Sequence, residues 1–138
     1  MKKFNWLFLF LFAFAFVACD DDDEVDPVDV TDPMISITSP VEGTELTAGT
    51  TMINVVGTVT DDMGLDEITI SATDPSGTPI ALDEDTISDF LNDDRSADID
   101  FDIELDADAA PGTYTIMVMA VDDAGNEAEV TRTVTMME

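Results

Sequence analysis

The sequence predicts an all-β fold, a sandwich of two sheets, and three observations carry that prediction. Beyond Pro33, apolar residues recur with a period of two, the alternating runs are rich in β-branched residues, and clusters of Gly, Pro, Asn and Asp separate the runs. A half-buried strand needs that period, because successive side chains point to opposite faces of the sheet.

The runs follow in order along the chain. MISIT sets Ile35 and Ile37 against Ser36 and Thr38, and TMINVVGTV places Ile53, Val55, Gly57 and Val59 on one face. DEITISA gathers Ile68, Ile70 and Ala72, and a weaker strand is expected from Thr78 to Leu82. DIDFDIELD is the cleanest alternation: Ile99, Phe101, Ile103 and Leu105 point one way, Asp100, Asp102, Glu104 and Asp106 the other. YTIMVMAVD and EAEVTRTVTM supply the last two strands. Between them SPVEGT, DDMG, DPSGTP, APGT and DDAGN have the composition of turns. The segment EDTISDFLNDDRSA breaks the pattern, since Ile87, Phe90 and Leu91 have helical spacing; it predicts a short helix or loop whose apolar residues plug one end of the core. About seven strands over residues 33–138 fit an antiparallel sandwich of immunoglobulin type.

The start of the chain is of a different kind. Lys2 and Lys3 precede thirteen apolar residues from Trp6 to Ala18, the pattern of a signal peptide. That run is too short to span a bilayer, which takes about 20 apolar residues, so residues 1–18 are expected to be removed. Cleavage there would carry away Trp6, six of the eight Phe and both lysines, moving the formal net charge from −28 to −30 and leaving Arg95 and Arg132 as the only cations. A chain so acidic repels nucleic acid, which needs Lys and Arg against its phosphates.

FVAC, ending at Cys19, resembles a bacterial lipoprotein lipobox, with Phe16 where leucine is usual. The resemblance implies that the Cys19 thiol receives a diacylglycerol, that cleavage makes Cys19 the new N-terminus, and that fatty-acyl chains such as palmitate hold the protein on the membrane. As the one cysteine of the chain it has no intramolecular disulfide partner. Asp20, Asp21, Asp22, Asp23 and Glu24 follow it directly and resemble the acidic export signal of Bacteroidetes surface lipoproteins. The same acids also suit a solvated spacer, and residues 19–32 read as a charged, extended tether. In enterobacteria an aspartate after the cysteine favours inner-membrane retention instead, so surface and periplasm both stay open as destinations. Asp32-Pro33 marks the start of folded structure.

Little here points to catalysis. The chain has no His, so it lacks the commonest general base, and it has no Lys beyond the leader to form a Schiff base. With 32 acids present, a carboxylate pair at any chosen spacing carries no information. A glycan-binding module is a further alternative, but after leader removal no Trp remains to stack on a sugar ring. Tyr114, after APG, is expected to tie down a neighbouring loop through its hydroxyl, as immunoglobulin-type folds do. Arg132 shares its strand face with Val130 and Val134; its stem is expected to pack and its head to reach solvent or a carboxylate.

A repeated DDxG is more pointed: Asp61, Asp62 and Gly64 follow one strand, Asp122, Asp123 and Gly125 another. Each is a good turn by itself. In an immunoglobulin-type sandwich the two loops lie at the same end, where the first strand also begins. Asp61, Asp62, Asp122, Asp123 and Asn126, with Asp29 or Asp32, then converge as candidate Ca²⁺ ligands, since Ca²⁺ takes six to eight oxygens. The alternative is two turns in a diffuse cation cloud.

GTVTDDMGLDEITIS and PGTYTIMVMAVDDAGNEAEVTRTVTM resemble the bacterial Ig-like and cadherin-like modules of secreted proteins, and the stretch from Cys19 to Met136 is similar to small Bacteroidetes lipoproteins of unknown function. The resemblance implies a non-catalytic outer-membrane lipoprotein, its single β-sandwich exposed at the cell surface for adhesion or as an accessory part of a complex. A periplasm-facing structural lipoprotein is the alternative. Cadherin-like modules bind Ca²⁺ at such a pole, although the paired acidic motifs are incomplete here. No other cofactor is implied, and the partner is not specified.

Overall fold

The computed structural model describes residues 28–82 and 94–138. The expected leader, Cys19, the acids Asp20 to Glu24, and the expected helix with Ile87, Phe90 and Leu91 lie outside the described residues. Seven strands follow in order: β1 (Met34–Ser39), β2 (Thr44–Leu46), β3 (Met52–Thr60), β4 (Leu65–Thr73), β5 (Ser96–Glu104), β6 (Gly112–Asp122) and β7 (Glu127–Met136). They form two sheets, ordered β1-β3-β5 and β2-β7-β6-β4.

The period-two faces pack against each other. Ile53, Val55 and Val59 of β3 with Ile99 and Ile103 of β5 meet Ile68, Ile70 and Ala72 of β4 and Ile116, Val118 and Ala120 of β6, all buried. Burial of each Ile or Val among them is worth roughly 1.5–3 kcal/mol and supplies the main favourable term. Leu65 and Ile68 are three residues apart, yet both are fully buried; a bulge between Leu65 and Glu67 turns the strand so that both face inward.

The strand count matches expectation, but one strand is elsewhere and one pairing is not antiparallel. The stretch from Thr78 to Leu82 forms only an isolated bridge, Pro79 with Thr73. After the turn at Gly77 the chain returns two hydrogen bonds to the β4 end, Asp74 N to Thr78 O and Ile80 N to Ala72 O, both 2.9 Å. Pro79 between them has no N–H to extend the ladder. The seventh strand is Thr44–Leu46, which runs parallel to β7 in the sheet opposite β1. The first strand is thus shared between the sheets, β1 on one and β2 on the other. Ser96 and Ala97, at the end of the segment expected to break the pattern, belong to β5.

Candidate functional site

The acids singled out in the two DDxG turns sit at one pole of the sandwich. β3 ends, β4 begins, β6 ends and β7 begins there, and the chain from residue 28 enters β1 there. Each loop is organised by its first aspartate. Asp61 Oδ1 accepts hydrogen bonds from the N–H groups of Met63 and Gly64, both 2.8 Å. Asp122 Oδ1 accepts from Ala124 N and Asn126 N, both 2.8 Å, and its Oδ2 accepts from the Asn126 side-chain amide at 2.6 Å. The loops are joined by Asp123 N donating to Gly64 O at 3.1 Å. Residues 94 and 95 close the floor: Asp61 N donates to Arg95 O and Leu65 N to Asp94 O.

Asp122 is unusual for an aspartate in being 1% exposed. It continues the inward row Tyr114, Ile116, Val118, Ala120 of β6, so strand parity drives a carboxylate toward the core. Burial works against its charge, but the bonds from the Asn126 side chain and the N–H groups of Asn126, Ala124 and Gly125 outweigh it and hold the acid below the ordinary aspartate range.

Three carboxylates converge at this pole. One oxygen each from Asp29, Asp61 and Asp122 lies within 4.8 Å of the others. Oxygens sharing one Ca²⁺ at about 2.3–2.6 Å stand at most about 5 Å apart, so the spacing suits a single ion between them. Asp61 Oδ2 is buried and accepts no hydrogen bond from the described residues, a carboxylate oxygen without compensation for its lost water. An all-oxygen, carboxylate-rich donor set favours a hard cation over a soft transition metal.

Of the residues named from sequence, Asp61 and Asp122 come together, and Asn126 spends its side chain on Asp122. Asp62 is exposed and outside the cluster, Asp123 contributes the main-chain link between loops, and Asp32 is exposed. Asp29 is the third carboxylate. It is half-buried, with Oδ1 accepting Thr31 N at 2.9 Å. In sequence Asp29 is one of many tether acids, and only the path of the chain over the pole distinguishes it.

Two other readings meet the structure here. Tyr114 is buried and its hydroxyl donates to Ala110 O at 2.8 Å, fastening the β5–β6 loop. Burial, with Asp74 nearby, raises the phenol's pKa. Arg132 is half-buried and crosses to the other sheet, Nη2 donating to Ile37 O at 3.5 Å, while Nη1 donates to Thr131 O. Its charge also acts on Glu42, whose carboxylate is held low mainly by the Thr133 hydroxyl and N–H.

Strand order and the fastened tyrosine define a small two-sheet β-sandwich of immunoglobulin type. The chain belongs to the family described as a domain of unknown function (DUF4625), whose model matches residues 17–137. Among solved structures it is similar to the fibronectin(III)-like modules of Clostridium thermocellum CbhA, at 24% identity and a TM-score of 0.46, over 75% of this chain and 94% of that one. It is also similar to CopC from Methylosinus trichosporium OB3b, at 17% identity and a TM-score of 0.42, over 75% and 93% of the two chains. No curated protein matches it.

Proposed function

We propose that this chain is a non-catalytic binding module, lipid-anchored through Cys19 to the outer membrane and displayed at the cell surface on its acidic tether. The observation that supports the reading best is FVAC ending at the lone Cys19; with an anchor there, entry of the chain at the DDxG pole leaves the opposite pole facing away from the membrane. FVAC, the lone cysteine and the acids Asp20 to Glu24 supply the chemistry of attachment and export. Acyl chains contribute about 0.8 kcal/mol per buried methylene, so several on one residue give durable anchoring. Cys19→Ser is expected to abolish acyl labelling and move the protein from the membrane to the soluble fraction. An unchanged membrane fraction would exclude the anchor. Protease shaving of intact cells then reads the side: degradation supports surface display, and full protection supports the periplasm-facing alternative.

The orphaned Asp61 oxygen favours a second, compatible reading, a Ca²⁺ held by Asp29, Asp61 and Asp122 that pins the tether's end to the domain. Sub-millimolar Ca²⁺ is then expected to raise the thermal midpoint of the full chain in detergent micelles at fixed ionic strength, with Mg²⁺ ineffective. An ion at 100 times its Kd adds about 2.7 kcal/mol of stability. Asp61→Asn should remove the increment. Superimposable curves in Ca²⁺, Mg²⁺ and Na⁺ would reduce the cluster to two well-made turns.

A further inference from the structure

We propose that the groove at the pole opposite the tether binds a basic, part-apolar segment of a partner protein. This inference rests on the reading of the chain as a binding module, and it names the face and the chemistry of its partner.

The groove has a volume of about 600 Å³ and lies where β4 and β5 end and β6 begins. β6 is eleven residues long, so this pole stands about 30 Å from the one the tether enters. Ile80, Leu105 and Ala109 line it with apolar surface, each packed from behind against the core. Tyr114 is fixed beside them by its bond to Ala110. The charged part of the lining is entirely acidic: Asp74, Glu104, Asp106 and Asp108. No lysine or arginine is among the described residues of the groove.

Charge complementarity selects the occupant. Anions and nucleic acid are repelled, and a second copy of a chain with net charge −28 is repelled as well. A single metal ion fits poorly, because among the described residues the one group of three or more carboxylates close enough to share an ion is Asp29, Asp61 and Asp122 at the far pole. Acids spread around an apolar floor match positive charges that are themselves spread and joined by apolar parts. A peptide segment mixing Arg or Lys with aliphatic side chains has that form, its aliphatic stems lying on Ile80 and Leu105 and its charged heads reaching the rim. Asp74 is a dependable part of that rim. The Ser76 hydroxyl and the N–H groups of Ser76 and Thr78 all donate to its Oδ1, which keeps the carboxyl ionised below the ordinary aspartate range. Tyr114 is buried beneath this lining, its hydroxyl spent on Ala110 O, so it supports the groove from below.

The test uses the full chain in detergent micelles and a fluorescein-labelled peptide alternating arginine and leucine, read by anisotropy at about 0.15 M salt, with protein-free micelles as the blank. Saturable binding is expected. The pair Asp106→Asn and Asp108→Asn should weaken it roughly fivefold, two exposed ion pairs being worth about 0.5 kcal/mol each. Ala81→Arg, at an exposed position of the lining, should weaken it at least as much. The control pair Asp98→Asn and Asp100→Asn removes the same charge from exposed positions on β5 and should leave affinity unchanged. The proposal is overturned if the control pair weakens binding equally, if an arginine–glycine peptide binds as tightly, or if free argininamide competes as well as the peptide, which would indicate a small-cation site. Shaving and acyl labelling read placement rather than affinity, so the groove and the surface reading fail on separate measurements.

Discussion

Asp122→Ala is expected to cost about 3 kcal/mol in urea unfolding at neutral pH. The variant leaves the N–H groups of Ala124 and Asn126 and the Asn126 amide without their acceptor at a position 1% exposed, and charge-assisted hydrogen bonds of this kind are worth about 1.5–3 kcal/mol. Relief of repulsion with Asp29 and Asp61 trims the loss without reversing it, since three hydrogen bonds to a buried carboxylate are lost together. The effect should depend on pH with a definite sign. The folded acid is held below its ordinary value of 3.8, so its stabilising contribution is present above that value and is lost as pH falls through the folded pKa. Wild type and variant should therefore converge in strong acid. A gap as wide at pH 2 as at pH 7 would show that the side chain's shape matters and its charge does not.

Gly57→Ala should destabilise by a similar amount, about 3 kcal/mol, although it adds one methyl group. A Cβ there would lie 2.6 Å from Ser36 O and 2.8 Å from Ile37 Cδ1, and the first of these is main chain of the paired strand β1. The added carbon can be housed only if β1 moves away from β3, where Ile37 pairs with Gly57 beside an irregularity in the register. Gly77→Ala is the comparison. Gly77 has φ 82° but open space around the Cβ position, so alanine there meets only the left-handed backbone, about 1–2 kcal/mol. The two urea midpoints should separate accordingly. A Gly57→Ala protein within about 0.5 kcal/mol of wild type would mean that β1 does not lie this close to β3.

Much of the fold was legible because a strand buried on one face writes its exposure directly into residue order. Ile99, Ile103, Asp100 and Asp102 needed no structure to be assigned their sides, and the six clear strands fall where the alternation places them. β2 was not legible. Three residues, Thr44 to Leu46, are too few to show a period, and their parallel pairing with β7 depends on a segment some 90 positions away. The weak strand expected from Thr78 failed for a local reason, the missing N–H of Pro79, compounded by the return of the chain onto β4.

The candidate site was legible in part. Asp61 and Asp122 carry a repeated turn signature, and the topology of the fold places both loops at one end. Asp62 and Asp123 look identical to them in sequence but differ in what they contact, because a one-residue step along a strand or turn changes the face a side chain takes. Asp122 could have been singled out by parity, as an acid in register with Ile116, Val118 and Ala120. Asp29 had no such mark.

The sequence by itself determined the fold class, six of the seven strands and their inward and outward faces, and it sets the division into leader, acidic tether and domain as an expectation, because period, composition and charge are local properties of the chain. Tertiary structure decided that Gly57 lies against the main chain of β1, that β1 and β2 belong to different sheets, which three of the many acids meet, and that a groove with an acidic rim lies at the pole away from the tether. Those outcomes depend on distances between segments far apart in the chain, and such distances are set only when the two sheets close over a common core.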